Sequence, residues 1–463
     1  MNGVRLSSGN RRLDEIFDGG LAANGIVLIT GLPGAGKTIL AQQFLFNNAT
    51  AERPGIYLTT VSEPMEKVLH YGETLDFFDL EAIGTSVFYQ NVGDLLASGG
   101  LDALLEFFED LLKTRKPGIL VIDSFKAIHD YVSDSGHLRS FLYRFAGLLS
   151  AFPVTTFLLG EYAIDDVAKF PEFAVVDAIV ALRFERIAHR EIRMLQISKL
   201  RGSNFKAGRH AYRLTSSGLS CFPRLADVID VDAYLLSPER LESGVKGLDQ
   251  MLGDGFTGGT ATLVAGPAGS GKTLLGLHYI FTGASQGQPG LIASLQENPI
   301  QLERMCRGFG WTMSDNNVEL MYRSPVDLHV DEWVYELLDR VERIGAKRVV
   351  IDSLGELRQA AGDDVRFREY IYSLLQRLSR SGVGLVMTQE SAQFSDISEL
   401  DERGVSHLSD NVILLRHVAG DAELTRAITV LKTRGTDHDH TIRTFVITGE
   451  GMSVGDPIHS GAE

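Results

Sequence analysis

The stretch "GIVLITGLPGAGKTILAQQFLF", residues 25–46, places a short apolar run before a glycine-rich turn and a helix-like apolar pattern after it. Leu40 and Phe44 lie four residues apart, on one face of a helix. The stretch "ATLVAGPAGSGKTLLGLHYIF", residues 261–281, repeats the arrangement with Leu274, Leu277 and Phe281. Each copy contains G-x-x-x-x-G-K-T, at 31–38 and at 266–273. Gly31, Gly34 and Gly36, and Gly266, Gly269 and Gly271, let backbone N–H groups converge on an anion without side-chain obstruction. The helix that follows turns its positive end toward the same anion. A strand before and a helix after each loop distinguish a phosphate cradle from a plain glycine turn.

The loops belong to a longer repeat. "SGNRRLDEIFDGGL" (8–21) resembles "SGVKGLDQMLGDGF" (243–256), with Leu13 and Leu248 235 residues apart. Lys37 and Lys272 are also 235 apart, Glu63 and Glu297 234, Asp123 and Asp352 229, and Lys199 and Lys432 233. Drift of a few residues is what loop insertions and deletions produce. Two homologous domains follow, expected at 1–228 and 229–463, with the join near residues 226–240. Within each, short apolar strands such as "GIYLTT", "GILVID" and "FPVTTFLLG" alternate with amphipathic patterns at 100–113 and 332–344. That alternation predicts an α/β fold, a mostly parallel sheet flanked by helices. "RHAYRLTSSGLSCF" and "IRTFVITGEGMSV" predict a C-terminal antiparallel hairpin in each domain.

The composition sets limits. With 44% apolar and 22% charged residues, the 463-residue chain is that of a globular protein. No apolar run approaches the roughly 18 residues of a membrane span, and the N-terminus has no signal-peptide core. A cytoplasmic protein without membrane contact is expected. The lone cysteines, Cys221 and Cys306, form no metal-ligand spacing or disulfide framework. The net charge of −16 argues against a dedicated nucleic-acid binder, whose affinity would rest on cationic side chains.

Lys37 and Lys272 are expected to reach the β- and γ-phosphates of a nucleoside triphosphate, and Thr38 and Thr273 to ligate Mg²⁺. Asp123 and Asp352 end apolar strands, where a carboxylate would face the cradle and hold the metal through water, or cap a helix with Ser124 or Ser353. Glu63 and Glu297 follow another strand end. Each would polarise an attacking water or act as an acidic cap for the helix near Pro64 or Pro299. Lys199 with Arg201, and Lys432 with Arg434, lie in K-x-R-G, where alternate residues of a strand can serve one anion. His438 and His440 lack a third ligand for a metal, and Trp311 reads as a core or adenine-side aromatic.

The paired loops, "ILVIDS" and "VVIDS", "SKLRGS" and "LKTRGT", and the "GLDQMLGDGF" opening together resemble two-domain members of the KaiC family of RecA-like P-loop ATPases. The resemblance covers nearly the whole chain. It implies a double-ring homohexamer with ATP and Mg²⁺ at subunit interfaces, slow ATPase activity and, in some members, serine/threonine autophosphorylation in the second domain. It also implies trans-acting roles for Lys199, Arg201, Lys432 and Arg434, and a KaiB-like or other signalling partner. Where clock members carry adjacent glutamates, this chain has Ser62-Glu63 and Gln296-Glu297. In "RGVSHLSDNVILL", Ser406 matches the first phosphoacceptor and His407 replaces the second, which predicts at most a one-site serine autokinase. The chain's last residues, "GDPIHSGAE", lack the clock members' long tail, so no KaiA-type partner is expected. Two other readings remain open: a nucleotide-gated scaffold with little turnover, and a DNA-dependent motor. The second lacks a basic pore loop at 129–138 or 359–366.

Overall fold

The computed structural model describes residues 4–60, 65–132, 135–163, 166, 169–187, 190–225, 239–391, 407–419 and 424–458. The chain divides into two compact units, Met1–Arg224 and Leu225–Glu463. The 228/229 join expected from the sequence falls in 226–238, outside the described residues.

The first unit opens with β1 (Arg5–Leu6), α1 (Arg11–Ile16) and β2 (Leu21–Ala22), then β3 (Ile26–Gly31) and α2 (Lys37–Asn48). There follow β4 (Gly55–Thr59), α3 (Met65–Gly72), β5 (Val87–Asn91), α4 (Gly93–Arg115), β6 (Ile119–Asp123), α5 (Ser135–Ser150) and β7 (Thr155–Gly160). After α6 (Glu172–Val175) come β8 (Ala178–Ile187), β9 (Arg190–Leu200), β10 (His210–Thr215) and β11 (Gly218–Phe222). Nine of these strands form one sheet in the order β5-β4-β6-β7-β3-β8-β9-β10-β11. Pairing is parallel from β5 through β8 and antiparallel beyond.

The second unit repeats this. It runs β12 (Arg240–Leu241), α7 (Leu248–Met251), β13 (Phe256–Thr257), β14 (Ala261–Gly266), α8 (Lys272–Ser285), β15 (Gly290–Ser294), α9 (Pro299–Gly308) and β16 (Val318–Tyr322). It continues through α10 (Val330–Ile344), β17 (Arg348–Asp352), α11 (Leu354–Ala361), α12 (Asp364–Arg380) and β18 (Gly384–Glu390). The antiparallel end is β19 (Asn411–Ala419), β20 (Leu424–Lys432), β21 (Arg443–Thr448) and β22 (Gly451–Pro457). Its sheet order, β16-β15-β17-β18-β14-β19-β20-β21-β22, matches the first strand for strand.

Successive strand side chains point to opposite faces, so a strand covered on both sides is apolar throughout. In β3, Ile26 and Leu28 join the core under α4 and α5, with Phe108 and Phe145. Val27 and Ile29 join the opposite core under α2, with Leu40 and Phe44. The predicted fold class is what the chain adopts. The appended part is larger than a hairpin: three antiparallel strands, with K-x-R-G at the end of the first, because β8 and β9 form a long ladder. Among the described residues no helix is long and apolar enough to cross a membrane.

Candidate functional site

Each glycine loop joins a central strand to a helix with no side-chain cap. Gly36 and Gly271 sit at the N-caps with φ of 92° and 101°, a left-handed conformation that favours glycine. A Cβ on Gly36 would stand 2.8 Å from the Leu214 side chain, and one on Gly271 2.9 Å from Met452. Backbone geometry and packing both exclude a larger residue there, leaving the first-turn amides for an anion.

Lys37 Nζ donates to Gly31 O at 2.9 Å and Leu32 O at 3.1 Å. Lys272 does the same to Gly266 O at 2.9 Å and Pro267 O at 2.8 Å. Burial lowers the pKa of both ammonium groups, opposed by Glu161 and Asp123 in the first domain and by Glu390 and Asp352 in the second. Glu161 and Glu390 escaped the sequence reading. Glu161 Oε1 lies 4.0 Å from Lys37 Nζ. Their separation, 229 residues, equals that of Asp123 and Asp352, and each lies at the end of the strand beside the aspartate strand. That shared spacing was the signal available.

Asp123 and Asp352 end β6 and β17 opposite the loop helices. Thr38 Oγ1 donates to Asp123 Oδ2 at 2.8 Å, and Thr273 Oγ1 to Asp352 Oδ2 at 2.7 Å. The Tyr57 hydroxyl also holds Asp123, at 2.5 Å, whereas Thr388 holds the other oxygen of Asp352. Burial, then the Asp123 charge, pushes the Tyr57 phenol well above its ordinary pKa, so it remains a donor. A hydroxyl and a carboxylate at the mouth of an anion cradle fit Mg²⁺, a hard cation that keeps waters and takes few protein oxygens. Among the described residues no group of three or more His, Cys, Asp or Glu could cage a metal, and the His438–His440 pair gains no third ligand.

Glu297 is half-buried beyond β15. The helix cap that the sequence left open to it belongs to Asn298, whose Oδ1 accepts from Ile300 N and Gln301 N at 3.0 Å, completed by Gln301 as a capping box. The Glu297 carboxylate is outside that cap. Glu63 and Ser406 lie outside the described residues. Trp311 stacks on Phe281 of α8 at 5.0 Å and packs against the second domain's core, with Leu274 and Leu277. Beside the first loop a cavity of about 370 Å³ is lined by Lys37, Thr38, Val68, Tyr71 and Leu75.

The K-x-R-G pairs stand elsewhere. Lys199 Nζ donates to Phe173 O and Ala174 O at 3.3 Å, and Arg201 lies 3.6 Å from Asp177. Asp177 in turn accepts from Ile26 N, the start of β3. Lys432 bonds Ser409 O at 2.8 Å, and Arg434 lies 3.6 Å from Asp410, which accepts from Ala261 N at the start of β14. The loops follow the opposite ends of these strands. At about 3.3 Å per residue, a six-residue strand separates each pair from its own loop by roughly 17–20 Å.

Comparison with known proteins follows the same division. A family model described as "ATPase: KaiC" matches residues 6–226 and again 241–458. The circadian clock oscillator protein KaiC of Thermostichus vulcanus is 29% identical over 462 residues, covering 96% of this chain and 87% of that protein. The circadian clock protein KaiC3 of Synechocystis sp. is 28% identical over 473 residues, covering 98% and 92%. With the family matched twice, each match spanning one nine-stranded sheet and one phosphate cradle, the chain belongs to the KaiC family of ATPases.

Proposed function

We propose that both domains bind ATP with Mg²⁺ and hydrolyse it within a ring of copies, Lys199 with Arg201 and Lys432 with Arg434 acting on the phosphates of a neighbour. The observation that carries this reading is the placement of each pair at the sheet end opposite its own loop. Mg²⁺, when bound, neutralises charge on the β- and γ-phosphate oxygens. The loop amides and Lys37 or Lys272 hold those oxygens, and Glu297 takes the proton of the attacking water in the second domain. The double-ring hexamer implied by family resemblance supplies the neighbour. The clock names of the relatives support a signalling or timing role; a cytoplasmic setting and a KaiB-like partner belong to the same proposal. Nucleic acid is no part of the reading. Arg358 and Arg366, after the aspartate strand, pair with Asp364 at 2.7 Å and with Asp331 at 2.5 Å.

Mixed assemblies test it. A chain carrying Lys37→Ala and Lys272→Ala, and another carrying Arg201→Ala and Arg434→Ala, are each expected to release little phosphate alone. Co-expressed, they should recover a substantial part of wild-type turnover, because intact cradles then meet intact arginines. A mixture no more active than its separate components would sink the trans assignment.

One contact favours a further activity, serine autophosphorylation. Arg434 Nη2 donates to the carbonyl of His407 at 2.7 Å, tying the trans-acting pair to the residue next to Ser406. In that reading the Ser406 hydroxyl attacks the γ-phosphorus of a neighbour's ATP, the bond to the bridging oxygen breaks, ADP leaves and the proton passes to a carboxylate. Mass spectrometry after incubation with ATP should find one added phosphate, on Ser406. An unmodified protein that still releases phosphate would leave only the ATPase.

A further inference from the structure

Ser353 and Glu356 spell S-x-x-E at the start of α11, a spacing that reads as a capping box. The structure uses both side chains differently. Ser353 occupies the N-cap position yet makes no side-chain cap bond. Its hydroxyl donates instead to Glu356 Oε2 at 2.5 Å. The other carboxylate oxygen, Oε1, accepts from Gln296 Nε2 at 2.7 Å. Gln296 directly precedes Glu297, and Ser353 directly follows Asp352. Glu356 therefore clasps two strand ends at once, the one leading to the candidate base and the one bearing the metal carboxylate.

The chemistry of the clasp has a direction. An ionised carboxylate only accepts hydrogen bonds. It fixes which end of the Gln296 amide faces it, drawing in the NH₂ group and turning the amide oxygen away as an acceptor. Among the described residues that oxygen has no protein donor.

The first domain is built otherwise. Strand register sets Thr59 beside Asp123 and Ser294 beside Asp352. Four residues past each aspartate stand Ala127 in the first domain and Glu356 in the second. Counting on from Thr59 and Ser294, Val61 and Ser62 correspond to Gln296 and Glu297, and Glu63 to the capping Asn298. The 234-residue pairing of Glu63 with Glu297 thus differs by one residue from the strand register. In the first domain, Thr60 ties the backbone after the aspartate, accepting from Ser124 N and donating to Ser124 O, both at 3.1 Å.

We infer that Glu356 is a positioning residue for hydrolysis in the second domain, holding Gln296 so that its amide oxygen orients the attacking water for proton transfer to Glu297. The inference rests on the proposed ATPase reading. The water oxygen bonds the γ-phosphorus while the bond from that phosphorus to the β–γ bridging oxygen breaks. One proton passes to Glu297, the amide oxygen accepts a hydrogen bond from the other hydrogen, and ADP leaves. With Ala127 at the matching place, the first domain lacks this device.

The test uses the full chain carrying Lys37→Ala, so that phosphate release reports the second domain. In that parent, Glu356→Gln and Gln296→Ala should each lower kcat about tenfold or more, the order of effect of misplacing a reacting group, with KM for ATP within about twofold. Glu356→Gln keeps the side chain's size but can donate as well as accept, so the Gln296 amide is free to turn over. Because both residues act through one water, the double variant should lose little more than the worse single one. Unfolding midpoints should match the parent, which separates positioning from structural damage. Variants that keep the parent kcat, add their losses independently or lose ATP affinity in step with kcat would overturn the inference while leaving the ATPase reading intact. A parent that binds ATP without releasing phosphate would overturn both.

Discussion

Lys272→Ala is expected to lower phosphate release from the second domain by about 10²- to 10³-fold, the usual effect of removing one charge-stabilising donor from a phosphoryl- or acyl-transfer site. Its ammonium already lies over the loop carbonyls of Gly266 and Pro267, where burial disfavours the charge. A polyphosphate arriving there replaces neutral acceptors with anionic ones, so much of the lysine's electrostatic contribution appears only with ligand bound. Lys37→Ala should silence the first domain in the same way. Calorimetry should then count about one nucleotide per chain for each single variant and none for the pair, provided each lysine governs binding as well as turnover. Wild-type phosphate release from both single variants would remove the foundation of the functional reading.

Arg348→Ala should unfold the second domain at a markedly lower temperature and leave the first domain's transition in place. Arg348 is fully buried, donating to Gln288 Oε1 at 2.9 Å, Glu242 O at 2.6 Å and Tyr279 O at 2.8 Å. Its guanidinium also sits 4.7 Å from the centre of the Tyr279 ring. Truncation leaves these neutral acceptors without their donor and opens a cavity. Unsatisfied buried acceptors cost about 1–3 kcal/mol each and a large-to-small core truncation about 2–5 kcal/mol, so a loss of several kcal/mol is expected. For a domain of this size that corresponds to a fall of roughly 10 °C or more in Tm. Arg348→Lys should recover only part of it, because one ammonium cannot span three acceptors arranged for a planar fork. Differential scanning calorimetry checks this, and two unshifted transitions would refute it.

Those two residues also mark what the sequence could reveal. The setting of Lys272 was legible because it is local: a strand, a glycine turn and a helix follow one another without interruption from Ala261 to Ser285. Asp352 was legible because an apolar run that stops at a carboxylate marks a strand end. Arg348 was not. In "KRVVID" it reads as a solvated strand start, and its partners lie 60 to 106 residues away along the chain. Glu356 was missed for a related reason, since S-x-x-E predicts a local cap and only the fold brings Gln296 across to compete for it. Glu297 and Asn298 show the limit at its narrowest. Both are polar residues near a proline, and only backbone N–H directions decide that Asn298 is the cap.

The far placement of the K-x-R-G pairs carries a consequence for how this chain behaves at low abundance. On the proposed trans roles of Lys199, Arg201, Lys432 and Arg434, at the strand ends opposite their own loops, a lone molecule has no neighbouring phosphate for them to act on. Specific activity should therefore climb steeply with protein concentration, then level off once every subunit has company. Dilution would switch the chemistry off while each cradle kept its grip on nucleotide.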